Sequence, residues 1–208
     1  MIYLFDFDGT LVDSMPTWAN LHKKLLYDAG LTPPDDFLKI TTPLGSYGTA
    51  KYCAELIGDT TAEELLNVVD RSLYSSYANT IPAKENVKKA LTELKKRGNS
   101  LNILTACPHS RLDPCLKRLG LFDLFQNIWS CDDFNYTKSD ARIYVDAAKR
   151  LGVNVSECTF LDDNFNAIKA AKDAGMISVG VYDDTSSEFV DEIKAICDNY
   201  IYNFSELI

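Results

Sequence analysis

No apolar run in this 208-residue chain approaches the ~18 residues that a membrane-spanning helix needs. A membrane partner is therefore not expected. The N-terminal Met-Ile-Tyr-Leu-Phe-Asp has no basic segment, and its apolar run stops after five residues, so no signal peptide is expected and the cytoplasm is the expected compartment. Histidine is scarce (His22 and His109), and none of the six cysteines, at 53, 107, 115, 131, 158 and 197, forms a C-x-x-C pair. That excludes the usual zinc-site spacings and reads the cysteines as reduced thiols. Positive charge is short as well: 21 Lys and Arg stand against 30 Asp and Glu, for a net charge of −9. Such a surface repels a phosphate backbone, so nucleic acid is excluded as a partner. A phosphate-bearing ligand must instead be small and held by a local device, such as a metal, a lysine or backbone amides. Internal repeats and low-complexity tracts are absent.

What is present is enough for one good core and a smaller appended unit, with 46% of residues hydrophobic. Residues 1–5 read as a buried strand. Residues 15–80 read as a helical insert: Trp18, Leu21, Leu25 and Leu26 share one helical face, and Leu65, Leu66, Val69 and Leu73 share another. Gly30, Pro33-Pro34, Pro43, Gly45, Gly48 and Gly58 punctuate it, with Gly45 and Gly48 read as turns. From Asn86 the pattern alternates. Helical stripes (Val87, Ala90, Leu91, Leu94; Leu112, Cys115, Leu116, Leu119; Ile143, Ala147, Ala148, Leu151; Ala167, Ile168, Ala171) separate short apolar runs at 101–104, 128–130, 158–161 and 177–182. A last helix is expected around 189–197. Asp113-Pro114 is the expected cap and first position of the second stripe, and Ser139 the cap of the third. Strands alternating with helices predict an α/β fold with a parallel sheet covered on both faces. The expected domains are a core of residues 1–14 and 81–208 and the helical insert at 15–80.

Sites in open parallel sheets lie beyond the carboxyl ends of the strands. Asp6 and Asp8, Thr105, and Asp162 and Asp163 fall at such ends, and Lys138 falls in a loop before a helix. Carboxylates set directly against an apolar strand are an expensive place for charge, which a bound cation offsets. Carboxylates, a hydroxyl and one lysine suit Mg²⁺ and a phosphoryl group. The remaining acidic pairs, Asp132-Asp133 and Asp183-Asp184, read as solvated loop ends, and His109 as a helix-start residue.

The run Asp-Phe-Asp-Gly-Thr-Leu-Val-Asp-Ser at 6–14 resembles the first motif of the haloacid dehalogenase-like (HAD) hydrolase superfamily. Leu-Thr-Ala at 104–106 resembles its second motif, Lys138 to Tyr144 its third, and Phe160-Leu-Asp-Asp-Asn164 its fourth. The resemblance implies a Rossmann-like core with a small α-helical cap domain inserted after the first motif. It implies a Mg²⁺-dependent phosphatase acting on a small phosphorylated metabolite through an aspartyl-phosphate. In that reading Asp6 is the nucleophile and Asp8 the general acid and base. Asp6, the main-chain carbonyl of Asp8 and Asp163 hold the metal, with Asp162 in a secondary role. Thr105 and the amide of Ala106 hold phosphate oxygens, and Lys138 neutralises charge.

Two departures stand out. Ala106 sits where many of these phosphatases carry Asn, and Ala83-Lys84 replaces a frequent Pro-Gly. The alternative within the superfamily is a phosphosugar mutase resembling beta-phosphoglucomutase. Outside it, a two-component receiver domain also combines acids, Thr and Lys, but it lacks an insert of this length. A catalytically dead binding module would be expected to have lost Asp6, Asp8 or Asp163. Lys39, Tyr47 and Lys51 in the insert are candidates to face the substrate, and a monomer or dimer is expected.

Overall fold

The computed structural model describes residues 1–41 and 44–208; Pro43, one of the residues read as punctuating the insert, lies outside them. The chain divides into two compact units, one of Met1–Asp13 with Pro82–Ile208 and one of Ser14–Ile81.

Strand β1 (Ile2–Phe5) is a run of apolar residues without alternation, and Tyr3, Leu4 and Phe5 are all buried. Burial on both faces is what a central strand of a covered sheet requires. The chain then enters the helical unit. It contains α1 (Met15–Asp28), α2 (Phe37–Thr41), α3 (Gly45–Ile57) and α4 (Ala62–Asn79). Thr61 and Glu64 form a reciprocal capping box that fixes the start of α4. Leu25 and Leu26 of α1, Phe37 of α2, Cys53 of α3, and Leu65, Val69, Leu73 and Tyr77 of α4 give this unit its own apolar core. Gly45 and Gly48 lie inside α3 rather than in turns; a Cβ at Gly48 would come 2.8 Å from the Leu44 Cβ, so glycine serves close approach there.

The remaining elements alternate: α5 (Val87–Lys96), β2 (Ser100–Thr105), α6 (His109–Leu119), β3 (Asn127–Ser130), α7 (Ala141–Leu151), β4 (Cys158–Asp162), α8 (Phe165–Asp173), β5 (Ile177–Val181), α9 (Val190–Ile196) and β6 (Asn199–Ile201). The sheet order is β3-β2-β1-β4-β5-β6, and every neighbouring pair is parallel. The apolar stripe of α5 is buried at Val87, Ala90, Leu91 and Leu94, and that of α7 at Ile143, Tyr144, Ala147 and Ala148. Leu4, Leu104 and Phe160 from the sheet meet Ile143, Tyr144, Ala147, Ala167 and Ala171 from α7 and α8 in one core. Among the described residues no helix is long and apolar enough to cross a membrane. All six cysteines are free thiols.

Two local expectations are corrected. Helix α6 begins at His109, not at Pro114, which lies inside it. Extended Pro108 sets the start, and Pro114 removes one backbone hydrogen bond that the buried Leu112, Cys115 and Leu116 outweigh. The cap of α7 is Asp140, whose carboxylate accepts from the Arg142 amide at 3.0 Å; a carboxylate at a helix N-terminus gains more than the Ser139 hydroxyl. Just before α5, Asn86 takes the left-handed conformation (φ 62°), which asparagine tolerates better than most residues.

Candidate active site

The strand order reverses between β1 and β4, and a crevice forms outside the carboxyl ends of the strands at such a point. Both strands end in aspartate. Phe5 lies opposite Leu161 in the ladder, and the Asp6 amide donates to the Leu161 carbonyl at 2.9 Å, so Asp6 emerges beside Asp162 and Asp163. Carboxylate oxygens of Asp6, Asp162 and Asp163 lie within 4.8 Å of one another. The three residues are 3%, 0% and 8% exposed, so water does not screen them.

Lys138 enters from the loop before α7. Its Nζ stands 2.7 Å from Asp6 Oδ1 and 2.7 Å from Asp162 Oδ2. The loop is held by Tyr144, whose hydroxyl is 2.8 Å from the Lys138 carbonyl and 3.1 Å from that of Ala167. Burial works against the Lys138 ammonium, but the Asp162 and Asp6 charges outweigh it and raise its pKa. Burial pushes the Asp163 carboxyl well up, with the Asp162 and Asp6 charges adding to the rise. Asp162 is raised by burial too, against the pull of Lys138. Three buried carboxylates thus crowd one ammonium, which pairs with two of them, and burial raises the pKa of Asp162 and Asp163. That is the signature of an all-oxygen donor set short of one cation, and it fits a hard divalent ion such as Mg²⁺.

The turn after Asp6 explains the Gly-Thr that follows. The amides of Leu11 and Val12 donate to the Phe7 carbonyl at 2.9 and 3.0 Å, and Phe7, Leu11 and Val12 are buried anchors. Gly9 takes φ 73°, and a Cβ there would lie 2.7 Å from Asp163 Oδ2. Thr10 Oγ1 donates to Asp163 Oδ1 at 3.0 Å. Asp8 is half-buried in the turn, close enough for its charge to act on the Cys107 thiol. Burial first, then the Asp8 charge, pushes that thiol far up, so it stays protonated. Thr105 ends β2 on the other side of β1, is 1% exposed, and accepts from the Cys107 amide at 3.1 Å. Ala106 lies exposed in the loop between them. Asp162 Oδ1 accepts from the Asn164 amide at 2.7 Å, while the Asn164 side chain caps α8.

So the structure brings Asp6, Asp162, Asp163 and Lys138 together, and puts Thr105 at the end of β2 and Asp8 and Ala106 in the adjoining turns. Asp162, expected from the resemblance in a secondary metal role, shares Lys138 with Asp6. Asp183 is not a solvated loop end. It is 4% exposed and paired with Lys84 at 2.8 Å, whereas Asp184 is exposed. Asp133 is exposed but not idle; it accepts from the Ser130 amide at 2.9 Å and pairs with His109 Nε2 at 2.9 Å. His109 is the first residue of α6 and also pairs with Asp113 at 3.0 Å. In the helical unit Lys39 is in α2, Lys51 is exposed on α3, and the Tyr47 hydroxyl is 3.3 Å from Glu63 Oε1.

The protein is thus a parallel α/β protein with buried aspartates at its topological switch point and a lysine that bridges two of them. The family model for haloacid dehalogenase-like hydrolases matches residues 1–175, and the chain belongs to that family. It is similar to hexitol phosphatase B of Escherichia coli K12, at 27% identity over 185 residues, covering 86% of this chain and 82% of the relative. It is also similar to the phosphoglycolate phosphatase of Psychrobacter arcticus, at 25% identity over 86% of this chain and 82% of the relative. Its fold resembles that of a family IA hydrolase from Entamoeba histolytica (TM-score 0.79, 23% identity, 100% of this chain and 95% of that one). It likewise resembles the fold of beta-phosphoglucomutase from Clostridium difficile (TM-score 0.73, 20% identity, 100% and 94%).

Proposed function

We propose that this hydrolase is a Mg²⁺-dependent phosphatase of small phosphorylated metabolites, with Asp6 as covalent nucleophile. The observation that carries the reading is Lys138 bridging Asp6 and Asp162 at 2.7 Å each beside buried Asp163. The phosphatase names of the relatives support it. Asp6, Asp163 and the main-chain carbonyl of Asp8 would hold the metal, with Asp162 flanking it. Mg²⁺ supplies charge neutralisation for carboxylates that meet a phosphate dianion.

The steps themselves belong to the chain. An Asp6 carboxylate oxygen attacks phosphorus while the bond to the leaving oxygen breaks, and Asp8 gives its proton to that oxygen. Asp8, now ionised, takes a proton from water, whose oxygen attacks the aspartyl-phosphate and releases phosphate with Asp6 restored. Lys138 cancels charge on Asp6 as it attacks, and Thr105 with the Ala106 amide holds the spectator oxygens. The helical unit of Ser14–Ile81 is the cap domain in this reading, and it sets which metabolite is accepted.

Phosphate release from a panel of phosphorylated metabolites, with and without Mg²⁺ and beside an Asp6→Asn control, tests the proposal. Release that requires both Mg²⁺ and Asp6 is the expected result. Release that persists in Asp6→Asn would remove the nucleophile assignment. Isomerised sugar phosphate with no free phosphate would replace the phosphatase with a mutase.

A further inference from the structure

We propose that Lys84 is a positioning residue that clasps the Asp8–Val12 turn to the end of β5 and so keeps Gly9 seated against Asp163. Lys84 holds the turn at two places. Its backbone amide donates to the Leu11 carbonyl at 3.0 Å, and its Nζ donates to the Gly9 carbonyl. The same Nζ donates to the Tyr182 carbonyl at 2.7 Å and pairs with Asp183 Oδ2 at 2.8 Å. An ammonium has three hydrogens, and here each has an acceptor. The Lys84 side chain is 18% exposed and Asp183 is 4% exposed, so the pair is largely shielded from water.

The far end of the clasp is itself fixed. The Tyr182 amide donates to Ile201 at 2.9 Å, extending the β5–β6 pairing, and Asp183 Oδ1 accepts from the Thr185 amide at 2.9 Å. Burial disfavours the Asp183 charge, but the bonds from Lys84 and Thr185 outweigh it and hold the carboxyl below its usual range. The near end bears on the site: Gly9 leaves no room between its Cα and the Asp163 carboxylate, and Thr10 donates to that carboxylate. A turn free to lift would unseat Asp163 and move Asp8 together. Lys84 touches neither set of reacting atoms; it acts through Gly9.

For its effect on turnover the inference rests on the proposed phosphatase activity; for its effect on the turn it does not. Lys84→Met alone leaves Asp183 buried without a counter-charge and destabilises the fold whatever the role. The deciding variant is the double Lys84→Met/Asp183→Asn, which removes the stranded charge along with the clasp. Three readouts are taken: the melting midpoint, amide exchange at Gly9, Leu11 and Val12, and kcat and KM separately. The expected result is a near-native melting midpoint, exchange in the turn faster by about tenfold or more, and kcat lower by about tenfold with little change in KM. Lys84→Arg, which keeps a cation beside Asp183, should recover part of the kcat. Unchanged exchange in the turn would overturn the clasp, and altered exchange with native kcat would overturn the positioning role. A wild type without phosphatase activity would overturn the proposed function, and exchange would still decide the clasp.

Discussion

At Gly9 the backbone sits at φ 73° with Asp163 occupying the space a side chain would need. Gly9→Ala should cost about 1–2 kcal/mol for the left-handed backbone, and more as the added methyl pushes Asp163 aside. Phosphate release should fall further than the urea midpoint does; an active, merely destabilised Gly9→Ala would refute the packing argument. Thr10→Val keeps the shape but strips a donor from buried Asp163. It should cost about 1–3 kcal/mol and raise the Mg²⁺ concentration needed for half-maximal rate. His109 supplies a pH-dependent contribution outside the aspartate cluster. Its bonds to Asp133 and Asp113 raise its pKa above the usual value. A raised folded pKa means that this stability is fully present below the unfolded value of about 6.5 and is lost as pH rises through the folded one. Asp133 has the opposite sign: burial opposes its charge, the His109 and Ser130 bonds outweigh that, and its share is lost in acid. The gap in urea midpoint between wild type and His109→Gln should therefore be widest near about pH 5.5–6 and close toward about pH 9. A gap that grows with pH would refute the ion-pair account.

Helix α7 links the apolar core to the lysine that the site uses. Tyr144 packs edge-on against Phe160 with ring centroids 4.9 Å apart, and its hydroxyl reaches back to the Lys138 carbonyl at 2.8 Å. Tyr144→Phe keeps the packing and frees the Lys138 loop. A stability loss of about 1 kcal/mol is expected, with a larger proportional loss of kcat; equal kcat would mean the loop holds without the hydroxyl. The four inner strands, β1, β2, β4 and β5, were legible because strands buried on both faces read as near-continuous apolar runs. Strand β6 was not, since it has three residues at the sheet edge. Its place depends on Asp198, whose carboxylate accepts from the Ser178 amide at 2.8 Å and hydroxyl at 3.0 Å, a contact between distant positions. At α6 the reading of His109 as a helix-start residue holds, whereas Asp113-Pro114, which has the local form of a cap, lies inside the helix with Leu112 already buried before it. Asp183 was misread because an Asp-Asp pair in a loop looks solvated until its partner Lys84 is known.

At the scale of the molecule, the helical unit leaves and re-enters the core at one place. The Asp13 amide donates to the Pro82 carbonyl at 3.0 Å, and Val12 pairs with Ala83 in an antiparallel bridge. Each unit also buries its own apolar residues, the helical one through Leu26, Phe37, Val69, Leu73 and Tyr77 and the other around Leu4, Leu104, Tyr144 and Phe160. An insertion whose ends already lie side by side adds no long loop that the core must close. Replacing Ser14–Ile81 with a Gly- and Asn-containing turn of about two to four residues should therefore leave a core that unfolds cooperatively. Asp6, Asp162, Asp163 and Lys138 all belong to that core, so the Mg²⁺ binding proposed above should be measurable by calorimetry after the excision as well. If the helical unit chooses the metabolite, the excised protein should still cleave an undemanding phosphate ester slowly while its preference among the natural panel flattens. Retained preference would move specificity into the core loops around Ala106 and Lys138. A core that collapses without Ser14–Ile81 would show instead that the two sets of buried residues are one cooperative structure.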